Sequence, residues 1–358
     1  MPDQTDHKGT AFDRIPLVDI SALYGTDEAA KLATAREMAK AASEVGFLYV
    51  TGHKLAPELI EQLEAQARLF YALPLETRLK YYIGQSRAHR GYVPTGEEGG
   101  YDDPSAKPDL KEAFDISIEL PEDDPDHLIG YRILGPNQWP AEAPDFRRHV
   151  YGYYEQAIAL GHTIFRGFAL ALGVEEDYFE RFLLKPPSQL RLVHYEANAH
   201  IIEEGQWGIS PHTDFECFTI LHATTPGLQV LNAAGEWIEA PPVPGAFVIN
   251  IGDMLEAMTN GRFIATPHRV RPTSEERFSF PLFCSVDYDT LVEPLPEFVG
   301  EGETPAYPPY VAGDHLAHQT MLYFRYLGKL VEEGKLSYPK SMEGKSASFG
   351  RKEKVAAE

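Results

Sequence analysis

The second half of the chain most constrains the fold, because between Leu190 and Cys284 it is divided into short β-type runs. These runs are rich in branched and aromatic residues, and they read LRLVHY, CFTILHA, LQVL, AFVINI and RFSFPLFC. Gly, Pro and Asn residues separate them. Many short strands with turn residues between them are typical of an antiparallel fold of two sheets. We therefore expect a core that is mainly β.

Helical patterns lie on both sides of this β block. Their apolar residues recur at helical spacing, and Gly46 and Gly173 follow the first and third of them. The predicted helices are Asp27–Val45, Pro57–Tyr71, Phe146–Leu172 and His315–Glu333. Two short strands, Ile15–Ile20 and Phe47–Val50, are predicted near the first helix. The expected class is α+β with a mainly β core.

Composition narrows the class of protein and of partner. The chain has 358 residues, 43% hydrophobic and 24% charged, which is ordinary for a globular protein. A net charge of -22 argues against a nucleic-acid partner or an anionic membrane surface. No apolar signal core or run of about 18 apolar residues is present, which predicts a cytoplasmic protein. The only cysteines, Cys217 and Cys284, lack metal-ligand spacing and are expected to be buried free thiols.

A metal site is predicted within the β block. His212 and Asp214 stand two positions apart at the predicted mouth of a strand, where alternation places both side chains on one face. His268 follows after several predicted strands and can supply a third ligand. Two imidazoles and one carboxylate leave coordination positions open and are typical of non-haem Fe(II) sites. Structural zinc sites instead favour thiolates and four protein ligands, so Fe(II) is the predicted metal.

An anion site is predicted beyond the second histidine. Arg277 and Ser279 lie two apart in RFSFP, on one face of a predicted strand. A guanidinium with an adjacent hydroxyl suits a carboxylate, because arginine stays charged and binds in a bidentate manner. Strand parity directs Phe283 to the same pocket, so it is a candidate for shaping a substrate site, with core packing as the alternative. The residues predicted on the opposite face are Phe278, Phe280, Leu282 and Cys284.

Taken in order, His212-x-Asp214, His268 and Arg277-x-Ser279 resemble the isopenicillin N synthase-like family of Fe(II)- and 2-oxoglutarate-dependent dioxygenases. Agreement extends to IPLVDIS, EVGFLYVTGH, RGYVPTGEE, KPDLKEAFDI and RLVHYEA. The resemblance implies a distorted double-stranded β-helix, or jelly roll, braced by N-terminal and C-terminal helices. The regions expected within one catalytic unit are residues 15–120 for the N-terminal part, 188–288 for the core and 312–336 for a C-terminal helix.

The resemblance also implies roles for these residues. His212, Asp214 and His268 would bind Fe(II), and Arg277 and Ser279 would hold the distal carboxylate of 2-oxoglutarate. With dioxygen, such a site oxidises a small-molecule substrate, most simply by hydroxylation, and releases succinate and carbon dioxide. Desaturation and ring closure are alternatives, and ascorbate is expected as an optional stimulant.

Tyr195 matches the family tyrosine whose hydroxyl helps to bind 2-oxoglutarate, with plain packing as the alternative. The family often has Asn before this His-Tyr pair and Pro after it. This chain has Val193 and Glu196 at those positions, so the contribution of that Asn is missing here.

The segment Gln85–Asp115 resembles the substrate-side segment of the family. Its candidate substrate residues are Arg90, Tyr92 and Phe114. A long polar loop in a compact domain is usually functional or disordered. The acidic residues Glu97, Glu98, Asp102 and Asp103 lie in the same region, and a solvated acidic loop is the expected alternative for each of these seven residues. A second cluster, Asp314, His315 and His318, is assigned to a solvated helix face.

Three other functions remain open from the sequence. An oxidase like isopenicillin N synthase would use Arg277 and Ser279 to hold its substrate and would need no 2-oxoglutarate. An ethylene-forming type of enzyme fragments 2-oxoglutarate and oxidises arginine, and it shares the GYV, GEE and KPD segments. A non-catalytic 2-oxoglutarate sensor on the same fold is the third.

Overall fold

The computed structural model describes residues 9–98, 107–130, 132–197, 206–302 and 304–342. Asp102 and Asp103 of the acidic loop therefore lie outside the described residues, as do parts of both ends of the chain.

Two sheets form the centre of the protein. The strands are β1 (Leu17–Asp19), β2 (Phe47–Thr51), β3 (Gly91–Val93), β4 (Glu112–Ser117), β5 (Gln189–Tyr195), β6 (Ile209–His212), β7 (Phe218–Ala223), β8 (Leu228–Leu231), β9 (Trp237–Glu239), β10 (Phe247–Ile251), β11 (His268–Val270), β12 (Arg277–Cys284), β13 (Leu291–Val292) and β14 (Tyr310–Val311). The major sheet has the order β1-β2-β10-β7-β12-β5-β4-β3, and the minor sheet has the order β6-β11-β8-β9. Apart from the parallel pair β1 and β2, their strands pair antiparallel. The predicted double-sheet core is confirmed.

Helices pack around these two sheets. They are α1 (Glu28–Glu44), α2 (Pro57–Tyr71), α3 (Leu75–Arg78), α4 (Pro125–Leu128), α5 (Phe146–Leu172), α6 (Asp253–Met258), α7 (Ala312–Tyr323) and α8 (Arg325–Glu332). The predicted bounds of α2 and α5 agree with the structure. None of the described helices is both long enough and apolar enough to cross a membrane.

Local sequence explains where the long helices begin and end. The Asp27 carboxylate accepts hydrogen bonds from the first backbone N–H groups of α1, and Pro57 opens α2. Gly173 ends α5 with φ 78°, a left-handed conformation that glycine adopts without strain. Inside α5, a Cβ on Gly161 would lie 3.1 Å from Cys284 Sγ, so glycine allows the helix to approach β12 closely. Both cysteines are buried free thiols, as predicted.

The C-terminal segment differs from its prediction, because it forms two helices rather than one. The backbone of Phe324 is extended, with φ -101° and ψ 121°, and it separates α7 from α8. Phe324 forms an isolated antiparallel bridge with Glu98, and the N–H of Arg325 donates to the carbonyl of Glu97 at 3.1 Å. Pairing with this distant loop interrupts the helix, although the local apolar spacing favours its continuation.

The assignment of Asp314, His315 and His318 to a solvated face is also wrong. His315 is fully buried, and its ring centroid lies 4.7 Å from that of Tyr310. His318 is half-buried against Tyr338. These side chains are shielded from solvent because β14 and the segment after α8 pack against this face of α7. The helical spacing of the residues could not indicate that distant contact.

Candidate active site

The three predicted metal ligands come together at the edge of the minor sheet. His212 is the last residue of β6 and His268 is the first residue of β11, and strand register places them opposite each other. Asp214 lies just beyond β6, and its Oδ1 is 3.5 Å from His212 Nε2 and 3.6 Å from His268 Nε2. One candidate ligand atom from each residue lies within 4.8 Å of the others. At this spacing, one metal ion could be coordinated by all three ligand atoms.

Backbone carbonyls orient both histidines. His212 Nδ1 lies 2.8 Å from the carbonyl oxygen of Ser210, and His268 Nδ1 lies 3.2 Å from that of Thr266. A carbonyl only accepts, so Nδ1 carries the proton in each neutral ring and Nε2 presents its lone pair towards Asp214. Such a hydrogen bond on the outer nitrogen fixes the tautomer of a metal-binding histidine.

Two residues that the sequence interpretation missed orient the carboxylate. Asp214 Oδ2 accepts hydrogen bonds from Asn250 Nδ2 at 2.6 Å and from the Thr219 hydroxyl. Asn250 and Thr219 are direct cross-strand partners in β10 and β7. The single asparagine in the apolar run AFVINI is the sequence signal that could have indicated a buried polar partner.

The site favours the metal-binding protonation states of Asp214 and His268. Burial opposes a charged His212, but the hydrogen bond and the charge of Asp214 raise the pKa of that imidazole. Burial opposes the charge of Asp214, but the two histidines and the Thr219 hydroxyl together hold the pKa of its carboxyl well below the usual range. Burial and the neighbouring His212 lower the pKa of His268 to about 4. An ionised carboxylate and a neutral imidazole are the forms that coordinate metal.

The predicted anion site lies on the major sheet. Arg277 in β12 and Tyr195 in β5 are cross-strand partners, and the Arg277 Cζ stacks 4.7 Å from the centroid of the tyrosine ring. Ser279 Oγ lies 3.5 Å from the Tyr195 hydroxyl oxygen. Arg277 is buried, and its Nε donates to the carbonyl of Thr225 at 3.2 Å. Within the described part of the chain its Nη1 has no hydrogen-bond partner, so this site fits an incoming carboxylate.

A cavity of about 160 Å³ lies between the two sheets and connects the triad with the anion site. Arg277, Ser279 and Phe283 all line it, while the alternate residues of β12 belong to the apolar core. Val193, where the family often has Asn, packs with Tyr195 in an apolar part of the cavity wall.

The remaining predicted substrate residues do not line this cavity. The Arg90 guanidinium is fully buried and donates to the carbonyls of Ala88, His89 and Ile133. The Tyr92 hydroxyl donates to Glu112, and the Phe114 ring packs against Phe70 and Phe146. Their side chains therefore interact with the surrounding core instead of the cavity.

The prediction for Glu98 is wrong, because it lies in a buried ion network and not in a solvated loop. Its carboxylate pairs with Lys111 and, at 2.8 Å, with Arg191, which also binds Asp115 with two hydrogen bonds. Although burial raises the pKa of Glu98, Arg191 and Lys111 lower it to about 2. Neighbouring Glu97 accepts from the backbone N–H of Tyr326 at 2.9 Å.

Charged side chains that sequence reasoning missed line the opposite end of the cavity from Arg277. They include basic Lys111 and Arg191 as well as acidic Asp109 and Glu216. Burial, reinforced by the charge of Asp214, raises the pKa of Glu216 to about 8. We call this part of the cavity the substrate end, and define it by Lys111, Arg191, Asp109, Glu216, His89 and Glu98. Asp109 and Lys111 share one segment, but Arg191 and Glu216 come from distant strands and loops, so no local signal indicated that these charges converge.

Sequence profiles of two known families match the chain. One, described as the non-haem dioxygenase in morphine synthesis N-terminal region, matches residues 15–142, and the other, the 2OG-Fe(II) oxygenase superfamily, matches residues 187–286. The 2-oxoglutarate-Fe(II) type oxidoreductase hxnY of Emericella nidulans is 35% identical over 306 residues, covering 84% of this chain and 87% of the relative. The chain belongs to the Fe(II)- and 2-oxoglutarate-dependent dioxygenases.

Other members of this dioxygenase family are similar over comparable lengths. A homoarginine-6-hydroxylase from Glycine max is 36% identical over 301 residues, covering 80% of this chain and 89% of the relative. The crystal structure of Neurospora crassa T7H with α-ketoglutarate and thymine superposes with a TM-score of 0.75 at 28% identity, covering 88% of this chain and 98% of that one. The jelly-roll fold predicted from the resemblance is confirmed. As a dioxygenase of this family, the protein uses Fe(II), 2-oxoglutarate and dioxygen to oxidise a small molecule.

Proposed function

We propose that His212, Asp214 and His268 bind Fe(II) through one face of the metal. The observation that carries this proposal is the convergence of their ligand atoms beside the cavity, with both histidine tautomers fixed by carbonyls. Three protein ligands would leave coordination positions open for cosubstrate and dioxygen.

Arg277, Ser279 and Tyr195 bind the distal carboxylate of 2-oxoglutarate in this proposal. Burial of the guanidinium and the unpaired Nη1 support it, since a buried arginine is costly until it meets an anion. When bound, iron and 2-oxoglutarate supply the oxidant, so that substrate, dioxygen and 2-oxoglutarate yield hydroxylated substrate, succinate and carbon dioxide. The protein orients both reactants and keeps the site dry, with Phe283 as one wall.

The proposed substrate is a small zwitterion with an additional basic group, and L-homoarginine is the first compound to test. Relatives from Glycine max, Oryza sativa and Arabidopsis thaliana that are named homoarginine-6-hydroxylases are 32% to 36% identical to this chain. The cavity is lined at its substrate end by acidic Glu98, Asp109 and Glu216 and by basic Lys111 and Arg191, and Glu98 pairs with both of these bases. Groups of both signs suit a ligand that carries both charges.

Succinate release tests this proposal. Protein loaded anaerobically with Fe(II) is given 2-oxoglutarate, air and L-homoarginine, L-arginine, thymine or jasmonate. We expect a basic amino acid to stimulate succinate formation in the wild type. Arg277→Ala should lose this response, whereas Arg271→Ala, which changes an exposed arginine in the loop before β12, should keep it. Succinate stimulated only by thymine or jasmonate would reject the basic amino acid as substrate.

The same reaction vessel separates the other activities. Ethylene in the headspace indicates the ethylene-forming type, while oxygen consumption without any need for 2-oxoglutarate indicates an oxidase like isopenicillin N synthase. Tight binding of 2-oxoglutarate with no succinate formed from any compound indicates a sensor.

A further inference from the structure

His89 lies in the turn before β3 and lines the substrate end of the cavity. Only 3% of the residue is exposed. Its Nδ1 lies 2.6 Å from the hydroxyl oxygen of Tyr326 in α8. Its Nε2 is buried and has no hydrogen-bond partner among residues that the structure describes. A buried polar atom without a partner is uncommon and calls for a physical explanation.

The hydrogen bond between His89 and Tyr326 indicates that the proton of the neutral imidazole lies on Nε2. Burial and the positive charges of Arg90, Arg191 and Arg132 hold the pKa of the His89 imidazole well below its usual range, so the ring is neutral. A phenol is a stronger donor than a neutral imidazole, and the imidazole nitrogen is the better acceptor. The Tyr326 hydroxyl therefore donates to Nδ1, and Nε2 carries an N–H group that has no acceptor in the described part of the chain.

The surroundings of His89 hold the ring in one position. Its backbone is left-handed, with φ 57°, which is unusual for a residue other than glycine. The Arg90 guanidinium donates to the carbonyls of Ala88 and His89, at 2.9 Å each, and so fixes this turn. The Phe324 ring packs edge-on against the imidazole with centroids 4.4 Å apart. A strained, fixed donor beside a cavity is typical of a ligand-binding position.

Charge near His89 favours an anionic acceptor. Arg90, Arg191 and Arg132 act on the ring electrostatically, and the carboxylate of Glu98 acts against them. The Arg191 guanidinium is paired with Asp115 and Glu98, which balance its charge, whereas the Arg90 guanidinium beside the ring donates to backbone carbonyls. A carboxylate that reached His89 would meet one fixed N–H donor in a positive field.

We propose that the His89 Nε2–H group donates a hydrogen bond to a carboxylate oxygen of the substrate and so sets which substrate carbon faces the metal. This inference rests on the proposed function, because it names the residue that recognises the acid group of the amino-acid substrate. Arg90, which was predicted to bind substrate, instead supports its neighbour.

The hydrogen bond between His89 and the substrate carboxylate is tested by measuring the binding of two ligands to two variants. His89→Phe keeps a ring without a donor, and His89→Gln keeps an N–H donor. Dissociation constants are measured anaerobically, with Fe(II) and 2-oxoglutarate bound, for L-homoarginine and for 5-guanidinopentylamine, which lacks the carboxylate. We expect His89→Phe to weaken L-homoarginine binding about tenfold or more and to leave the amine within about twofold. His89→Gln should restore most of the loss, and 2-oxoglutarate affinity should stay constant in both variants.

Equal losses for the two ligands, or no loss for either, would overturn the role of His89. If wild-type protein binds neither ligand, the proposed substrate fails, and the tautomer then decides the inference about His89. Protein with ¹⁵N-labelled histidine, loaded with zinc and 2-oxoglutarate, should show the Nε2–H form by NMR, with the signal assigned through its loss in His89→Gln. The Nδ1–H form would reject the proposed donor, whereas the Nε2–H form would support it for another carboxylate ligand.

Discussion

The two ends of the cavity are built in different ways. At the cosubstrate end, the key residues occupy neighbouring register positions: His268 opposite His212, and Arg277 opposite Tyr195. At the substrate end, Glu98, Lys111 and Arg191 meet from separate parts of the chain, and α7 and α8 close around them. Strand pairing defines the cosubstrate end, whereas the substrate end joins one strand pair, Arg191 and Asp115, to Glu98 from a loop through a buried network of charges.

This difference explains how one family can retain a reaction while changing its substrate. Strand pairing holds the cosubstrate end inside a rigid double sheet, and the loop that supplies Glu98 can change without moving that register. Buried charges impose specificity, because a ligand must complement them or leave them unpaired. Substitutions at the cosubstrate end should therefore change the KM for 2-oxoglutarate, and substitutions at the substrate end should change the KM for substrate.

The largest effect is expected from Asp214→Ala at the cosubstrate end. In the proposed site Asp214 supplies the carboxylate ligand, so its loss removes the charge that would hold Fe(II), and iron binding and succinate formation should both be abolished. Iron titration and a succinate assay measure this result. Glu293→Ala, an exposed acidic position, serves as the control and should retain both properties. Full turnover by Asp214→Ala would remove Asp214 from the ligand set.

Arg277→Ala should raise the KM for 2-oxoglutarate about 100-fold, because a buried, charge-assisted carboxylate contact is lost. The dissociation constant of Fe(II) should change little, since Arg277 makes no contact with the triad in the described structure. Initial rates at varied 2-oxoglutarate measure the effect, with Arg271→Ala as the matched control. An unchanged KM for 2-oxoglutarate accompanied by a higher substrate KM would place Arg277 at the substrate, as in the oxidase alternative.

Glu98→Gln probes the substrate end. Removal of this charge leaves Lys111 and Arg191 incompletely paired, and the free energy of unfolding should fall by about 3 kcal/mol. The KM for substrate should rise while that for 2-oxoglutarate stays constant. Urea denaturation and steady-state kinetics measure these quantities, and the exposed Glu122→Gln provides the control. A parallel rise in both KM values would show that the two ends are coupled.

The smallest effect is expected from Asn250→Ala, which removes one hydrogen bond to the metal-binding carboxylate. The Thr219 hydroxyl still holds Asp214 Oδ2, so Fe(II) affinity should fall only about tenfold. Asn250→Asp should weaken iron binding further, because it places a second negative charge against Asp214. Anaerobic iron titration distinguishes these outcomes. Equal affinities for Asn250→Ala and wild type would assign the asparagine to packing alone.

Much of the cosubstrate end could be predicted, because its residues lie in short motifs on regular strands. Strand parity alone separated Phe283, which lines the cavity, from Phe280 and Leu282 in the core. The substrate end could not be predicted in this way. Arg90 was named as a substrate residue, although its guanidinium binds backbone carbonyls and its neighbour His89 reaches the cavity. Side chains of adjacent residues in an irregular turn do not alternate regularly between two faces. The position of Arg90 in its motif therefore did not indicate whether its side chain faces the cavity.

The sequence by itself determined the mainly β core, the bounds of α2 and α5, and the order of motifs by which the dioxygenase family is identified. These features depend on local periodicity and on spacing within single strands, which short stretches of chain contain. Tertiary structure alone decided that the C-terminal helix breaks at Phe324, that His315 is buried, and that Glu98 forms an ion network instead of meeting solvent. Each of those outcomes depends on a partner distant in sequence, and burial beside such a partner outweighs local preference.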